Sequence, residues 1–108
     1  MTINVRAFFG DAERDFALTD HMIEELERLS DAGIGLIYRR ATAMQFGLKD
    51  ITETLRLALI GAGTPPEEAE RLVTAWCRNR PIAETLPLAL DVLDARWSGA
   101  PAKTSDAA

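Results

Sequence analysis

Along residues 3–9 the side chains alternate, with Ile3, Val5, Ala7 and Phe9 set against Asn4, Arg6 and Phe8. That two-residue period is the mark of a half-buried strand. Gly10, Asp11, Ala12 and Glu13 carry turn chemistry, and residues 14–18 (RDFAL) read as a second short strand. A four-residue loop then opposes Phe9 to Arg14, Ala7 to Phe16 and Val5 to Leu18. Val5, Ala7, Phe16 and Leu18 thereby share one apolar face. A lone two-stranded ribbon is marginal in water, so this face is expected to pack on the elements that follow.

From Thr19 onward the period lengthens to that of helices. A first helix is expected from a Thr19 or Asp20 cap to about Ser30, with Met22, Ile23, Leu26 and Leu29 as its apolar stripe. Glu24, Glu25, Glu27 and Arg28 face water, and Glu24 with Arg28 has the favourable four-residue spacing. Asp31, Ala32 and Gly33 end it. A second helix is predicted over residues 34–46, with Leu36, Ile37, Ala41 and Met44 apolar, and Gly47 breaks it. A third starts at Lys49 or Asp50, repeats Ile51, Leu55, Ala58, Leu59 and Ala62, and stops at Gly61-Ala62-Gly63.

Thr64-Pro65-Pro66-Glu67 is the clearest start signal. Thr64 and Glu67 have capping-box spacing, and Pro65 suits a first helical position. Ala69, Leu72, Val73, Trp76 and Cys77 form the cleanest amphipathic face in the chain, and the helix should end near Asn79, ahead of Pro81. A last helix is expected over residues 81–97, kinked or restarted at Pro87. Ile82, Leu86, Leu90, Leu93 and Trp97 lie on one of its faces and Leu88 and Val92 on another. So wide an apolar circumference implies either burial on two sides or a partner surface.

The predicted fold class is therefore mainly α with a short N-terminal β-hairpin, a compact α+β domain of four to five helices. Residues 1–99 form a single domain (hairpin 3–18, helices about 20–98), and residues 100–108, lacking an apolar anchor, are expected to be a disordered tail. The length of 108 residues fits one core. Composition agrees, with 47% hydrophobic and 27% charged residues. Twelve Lys and Arg against seventeen Asp and Glu give a net charge of −5, which argues against a broad nucleic-acid surface. No apolar run approaches the roughly 20 residues of a membrane span, and no secretory signal is read at the N-terminus. A single Cys rules out an internal disulfide framework and a Cys-rich zinc site, and suits a reducing cytoplasm.

Motifs for chemistry are sparse. His21 stands beside Asp20, Glu24 and Glu25, but one histidine with carboxylates at a helix start is a solvated or capping residue before it is a metal half-site. Cys77 lies on an apolar stripe with Val73 and Trp76 and reads as a small hydrophobe rather than a nucleophile. Ser30, Ser98 and Ser105 lack the strained-turn context of a serine hydrolase. Gly33-Ile34-Gly35 and Gly61-Ala62-Gly63 follow no predicted strand, so helix breaks explain both. Arg39-Arg40 and Arg78-Asn79-Arg80 are the basic clusters. The third and fourth helices could imitate a helix-turn-helix, yet the presumed recognition helix opens PPEEAER, with acids where phosphates should be met. No catalytic, metal or cofactor residues are expected, and no cofactor.

Taken in order, the hairpin, the acidic TDHMIEELERL helix, Gly35-Leu36-Ile37-Tyr38-Arg39-Arg40, the LALIGAG helix end with its TPPEEAE continuation and Arg80-Pro81-Ile82 carry a resemblance. Together they resemble the small tail-assembly proteins of gene transfer agents and related prophages of α-proteobacteria, also known as phage tail assembly chaperones or tail tube proteins. The resemblance runs over residues 3–99. It implies a non-enzymatic role in building a phage-like tail in the bacterial cytoplasm, as a chaperone bound to the tape-measure protein or to tail tube subunits. It carries over no catalytic or metal residues. A small acidic helical protein can cover the apolar stripes of such a partner while its charge keeps the complex soluble. On this reading the contact candidates are Tyr38, Arg39, Arg40, Leu88 and Val92, the partner is a protein rather than nucleic acid or membrane, and self-association stays open. Two alternatives are a structural tail component and a small helix-turn-helix-like DNA-binding regulator.

Overall fold

The computed structural model describes residues 1–101. Two antiparallel strands, β1 (Asn4–Phe9) and β2 (Ala12–Ala17), lead into five α-helices. The helices are α1 (Asp20–Ser30), α2 (Ile34–Thr42), α3 (Leu48–Gly61), α4 (Pro66–Trp76) and α5 (Leu86–Ser98). A single 3-10 turn, Ile82–Glu84, precedes α5. The expected hairpin-then-helices class is what the chain forms. The disordered tail predicted for residues 100–108 falls, from residue 102 on, outside the described residues.

The hairpin turns more tightly than its sequence suggested. Phe9 pairs with Ala12, Ala7 with Arg14 and Val5 with Phe16, so the loop is two residues, not four, and each pairing shifts by two positions. A shift of two preserves the faces, and Phe9, Phe16 and Leu18 still turn into the core. Gly10 explains the tight loop. It takes the positive φ, +72°, needed at the first central position of a type II′ turn, and Asp11 behind it does not. A Cβ on Gly10 would also collide with the Trp76 indole.

Thr19 caps α1 by accepting from the Met22 amide at 3.3 Å. Two surface residues of α1 act otherwise than expected. Arg28 pairs with Glu25, not Glu24. Glu27 accepts from the Ile34 amide at 2.8 Å, and so supplies to α2 the cap that Gly33, lacking a side chain, cannot.

The second helix stops at Thr42, four residues before its predicted end. The Gln45 amide returns to the Arg40 carbonyl at 2.8 Å and the Met44 amide to Ala41 at 3.4 Å, with Met44 at φ +59°. That is a Schellman close with methionine in the left-handed position glycine usually fills. Helix α3 closes the same way, with Gly63 at φ +115°, Thr64 N–H to Leu59 at 2.9 Å and Gly63 N–H to Ile60 at 3.0 Å. Thr64 is thus committed to the end of α3, and the predicted capping box does not form. Helix α4 begins one residue later than that box required, at Pro66 behind Pro65. The final helix restarts rather than kinks: Pro87 sits in the first turn of α5, where its missing N–H is harmless.

The innermost element is α3. It packs on α1, α4, α5 and β2 together, and Ile51, Leu55, Leu57, Ala58 and Leu59 are all buried. Thr52 and Thr54 are buried with them. These two threonines masked the burial in a count of apolar positions. Gly61 lets α3 touch β2, since a Cβ there would overlap the Ala17 carbonyl oxygen. At the N-terminus of α3, Asp50 accepts from the Gly47 amide at 2.9 Å and from Arg40 at 3.0 Å, tying α2 to α3.

Candidate interaction surface

Helix α2 buries Ile37 and Ala41. Tyr38, one residue round from Ile37, falls at the margin of the core and reaches across to α5. Its ring stacks on Trp97, centroids 5.1 Å apart and planes 17° from parallel. Its hydroxyl donates to Asp94, three residues before Trp97 on the same helix. That hydrogen bond, more than the accompanying burial and charge, pushes the Tyr38 phenol above its usual pKa. The pair is held in one geometry while Trp97 stays 62% exposed. A rigid aromatic of this kind loses little entropy when a partner covers it.

The five sequence candidates separate here. Tyr38 is half-buried and organises this patch. Arg39 is exposed and has no ion pair among the described residues. Arg40 is spent internally on Asp50. Leu88 and Val92 are core, 9% and 1% exposed, and present no surface to a partner. The second apolar face of α5 is explained by burial, because α3 covers one side of the helix and the hairpin another. Spacing sets Trp97 on one face of the helix with Leu93, yet Leu93 is buried and Trp97, in the last turn of α5, is exposed. Asp94 carried no sequence signal, since its role depends on α2 lying across from it.

Beside this patch, between β1 and α5, lies a groove of about 600 Å³. Asp91 and Asp94 from α5 and Glu13 from β2 contribute its carboxylates. Burial, and then the neighbouring Asp94, raises the Asp91 carboxyl above its usual pKa.

The remaining candidates stay apart. His21 is exposed, and among the described residues no three His, Cys, Asp or Glu side chains converge to hold a metal. Cys77 is buried, and desolvation pushes its thiol up to about 11, so it is not a thiolate at neutral pH. Helix α4 opens with Glu67 and Glu68 in its first turn, where a DNA-reading helix would need cations. Arg80 lies 5.2 Å over the Trp76 ring and pairs with Glu84 at 3.0 Å, which engages one of the two arginines of that basic cluster within the fold. Among the described residues no helix is long and apolar enough to cross a membrane.

A family model described as "Phage tail tube protein, GTA-gp10" matches residues 2–99 of the chain. No curated protein and no solved structure matches it.

Proposed function

We propose that this chain, which belongs to the GTA-gp10 phage tail tube protein family, serves tail construction without catalysis, as a chaperone for the tape-measure protein or for tail tube subunits. The family ties the chain to a phage-like or gene transfer agent tail. The observation that favours a chaperone over a ring-forming subunit is the small sheet. Tube rings are built from extended β-sheets, whereas the described residues here form two paired strands and one isolated bridge, and a two-stranded ribbon depends on its helices for stability. The chain's net charge of −5 and its preorganised Tyr38–Trp97 patch suit transient cover of a partner's apolar stripe. The work is assigned to the cytoplasm of the host bacterium.

The second reading, a structural tube component, rests on the family's own description. One experiment separates the two. A tagged chain is used to pull down partners under particle-producing conditions, and finished particles are assayed for the same chain. Recovery of tape-measure or tube protein, with the chain absent from particles, is the expected result. A stoichiometric presence in finished particles would make it structural, and recovery of no tail protein would overturn both readings.

A further inference from the structure

The groove beside β1 is a site where a strand is missing. With a two-residue loop, the Phe9–Ala12, Ala7–Arg14 and Val5–Phe16 pairs exchange the ladder hydrogen bonds, so the peptide groups of Asn4, Arg6 and Phe8 point away from β2. The chain fills only the start of that edge. Thr2 N–H donates to the Ala100 carbonyl at 2.9 Å and Ala100 N–H to Thr2 at 2.7 Å, while the Asn4 amide turns back to Thr2 Oγ1 at 3.1 Å. Past this point no further strand continues the ladder among the described residues, and the groove between β1 and α5 opens along Asn4, Val5 and Arg6.

The charge of the groove is one-sided. Arg6 and Glu13 both line it and pair with each other at 3.1 Å, and Arg6 is also paired with Asp15 at 3.0 Å. Asp91 and Asp94 face the same space from α5, one helical turn apart, and neither has an ion-pair partner among the described residues. A cation placed between them would relieve their mutual repulsion.

We propose that this groove takes an extended, cationic segment of a partner protein, which adds as a strand along the open part of β1 and sets alternate basic side chains against Asp91 and Asp94. Strand addition supplies main-chain hydrogen bonds as the source of affinity, and the two-residue side-chain period directs every second residue to α5 as the source of selectivity. The negative net charge of the chain steers such a partner toward it. The proposal rests on the protein-binding role given above and names the chemistry of the bound segment.

The test uses the full chain in a Trp76→Phe background, so that Trp97 alone reports. The probes are an end-blocked alternating Lys–Val octapeptide, its Glu–Val counterpart and a Lys–Val peptide methylated on alternate backbone nitrogens. Saturable binding of the Lys–Val peptide is expected, weakened at least ~10-fold by Asp91→Asn with Asp94→Asn and at least ~10-fold by backbone methylation. The Glu–Val peptide should not bind. No saturation, equal binding by the Asn double variant, or equal binding of the methylated peptide would overturn the proposal. The same double variant in the pull-down keeps this failure distinct from that of the functional reading. Recovery of a tail protein by the wild type and the variant alike sinks the groove alone, and recovery of none by the wild type sinks the role.

Discussion

Tyr38 of α2 lies flat against Trp97 of α5, and the Tyr38 hydroxyl holds Asp94 one helical turn from that indole. Two helices far apart in the sequence are thus joined at the surface by a single side chain. Aromatic pairs of this geometry contribute about 0.5–1.5 kcal/mol beyond their burial. Trp97→Ala should cost about that much in urea denaturation, and Tyr38→Phe, which keeps the stack, about 1 kcal/mol or less. A loss above about 3 kcal/mol for Trp97→Ala would place the pair in the core instead.

The two Schellman closes give a paired prediction. Met44 occupies the left-handed position with a side chain that is 69% exposed, so it gains little packing for its strain. Met44→Gly should raise stability by about 0.5–1 kcal/mol, and Gly63→Ala should lower it by about 1 kcal/mol or more. Thermal midpoints moving in opposite directions would confirm the pair.

Gly61→Ala ought to help an ordinary helix by about 0.5–1 kcal/mol. Here the added methyl meets the Ala17 carbonyl oxygen, which belongs to backbone and cannot swing aside. The substitution is expected to destabilise by more than ~2 kcal/mol, the cost of overpacking. Unchanged or improved stability would mean that α3 and β2 do not approach so closely.

How legible was all this in the sequence? The faces of the hairpin, the stripe of α4 and the restart at Pro87 follow from period and from proline's missing N–H. The end of α2 does not, because its left-handed cap is methionine and the glycine rule points past it to Gly47. The role of α3 was hidden by Thr52 and Thr54, polar in a count yet buried at 1% and 0% exposure. At the surface, Tyr38 was readable as a candidate, but Trp97 and Asp94 became a site only through the crossing of α2 over α5. Leu88 and Val92 are buried within the fold; apolar spacing shows that a face is covered and not which element covers it.

Leu88→Asp with Val92→Asp therefore tests the core and not the partner surface. An unpaired buried carboxylate costs several kcal/mol, against a total domain stability of about 5–15 kcal/mol. The double variant should show the circular dichroism of an unfolded chain. Trp97→Asp, by contrast, should keep the native helical signal. A folded Leu88→Asp, Val92→Asp chain would return that face to the list of contacts.

Cys77 links burial to alkaline pH. Its folded thiol is raised to about 11 by desolvation, while an unfolded thiol ionises near ~8.5. Between those values the unfolded state loses its proton first. Stability contributed by the protonated thiol is therefore full below pH ~8.5 and falls as pH rises toward 11. A maleimide at neutral pH should modify the native chain far more slowly than the urea-unfolded one. Equal rates would show that Cys77 is open to solvent.

The bridge between Thr2 and Ala100 closes the described chain into something near a ring, with its seam at the mouth of the groove. A ring can be cut elsewhere. A circular permutant joined by a short linker across that seam and opened in the turn between α2 and α3 would keep every helix intact and carry no terminus near Asp91, Asp94 or Trp97. Conversely, Thr2 and Ala100 lie together in the lining of the groove, so a change made at the seam alters the same surface that a bound protein would have to reach.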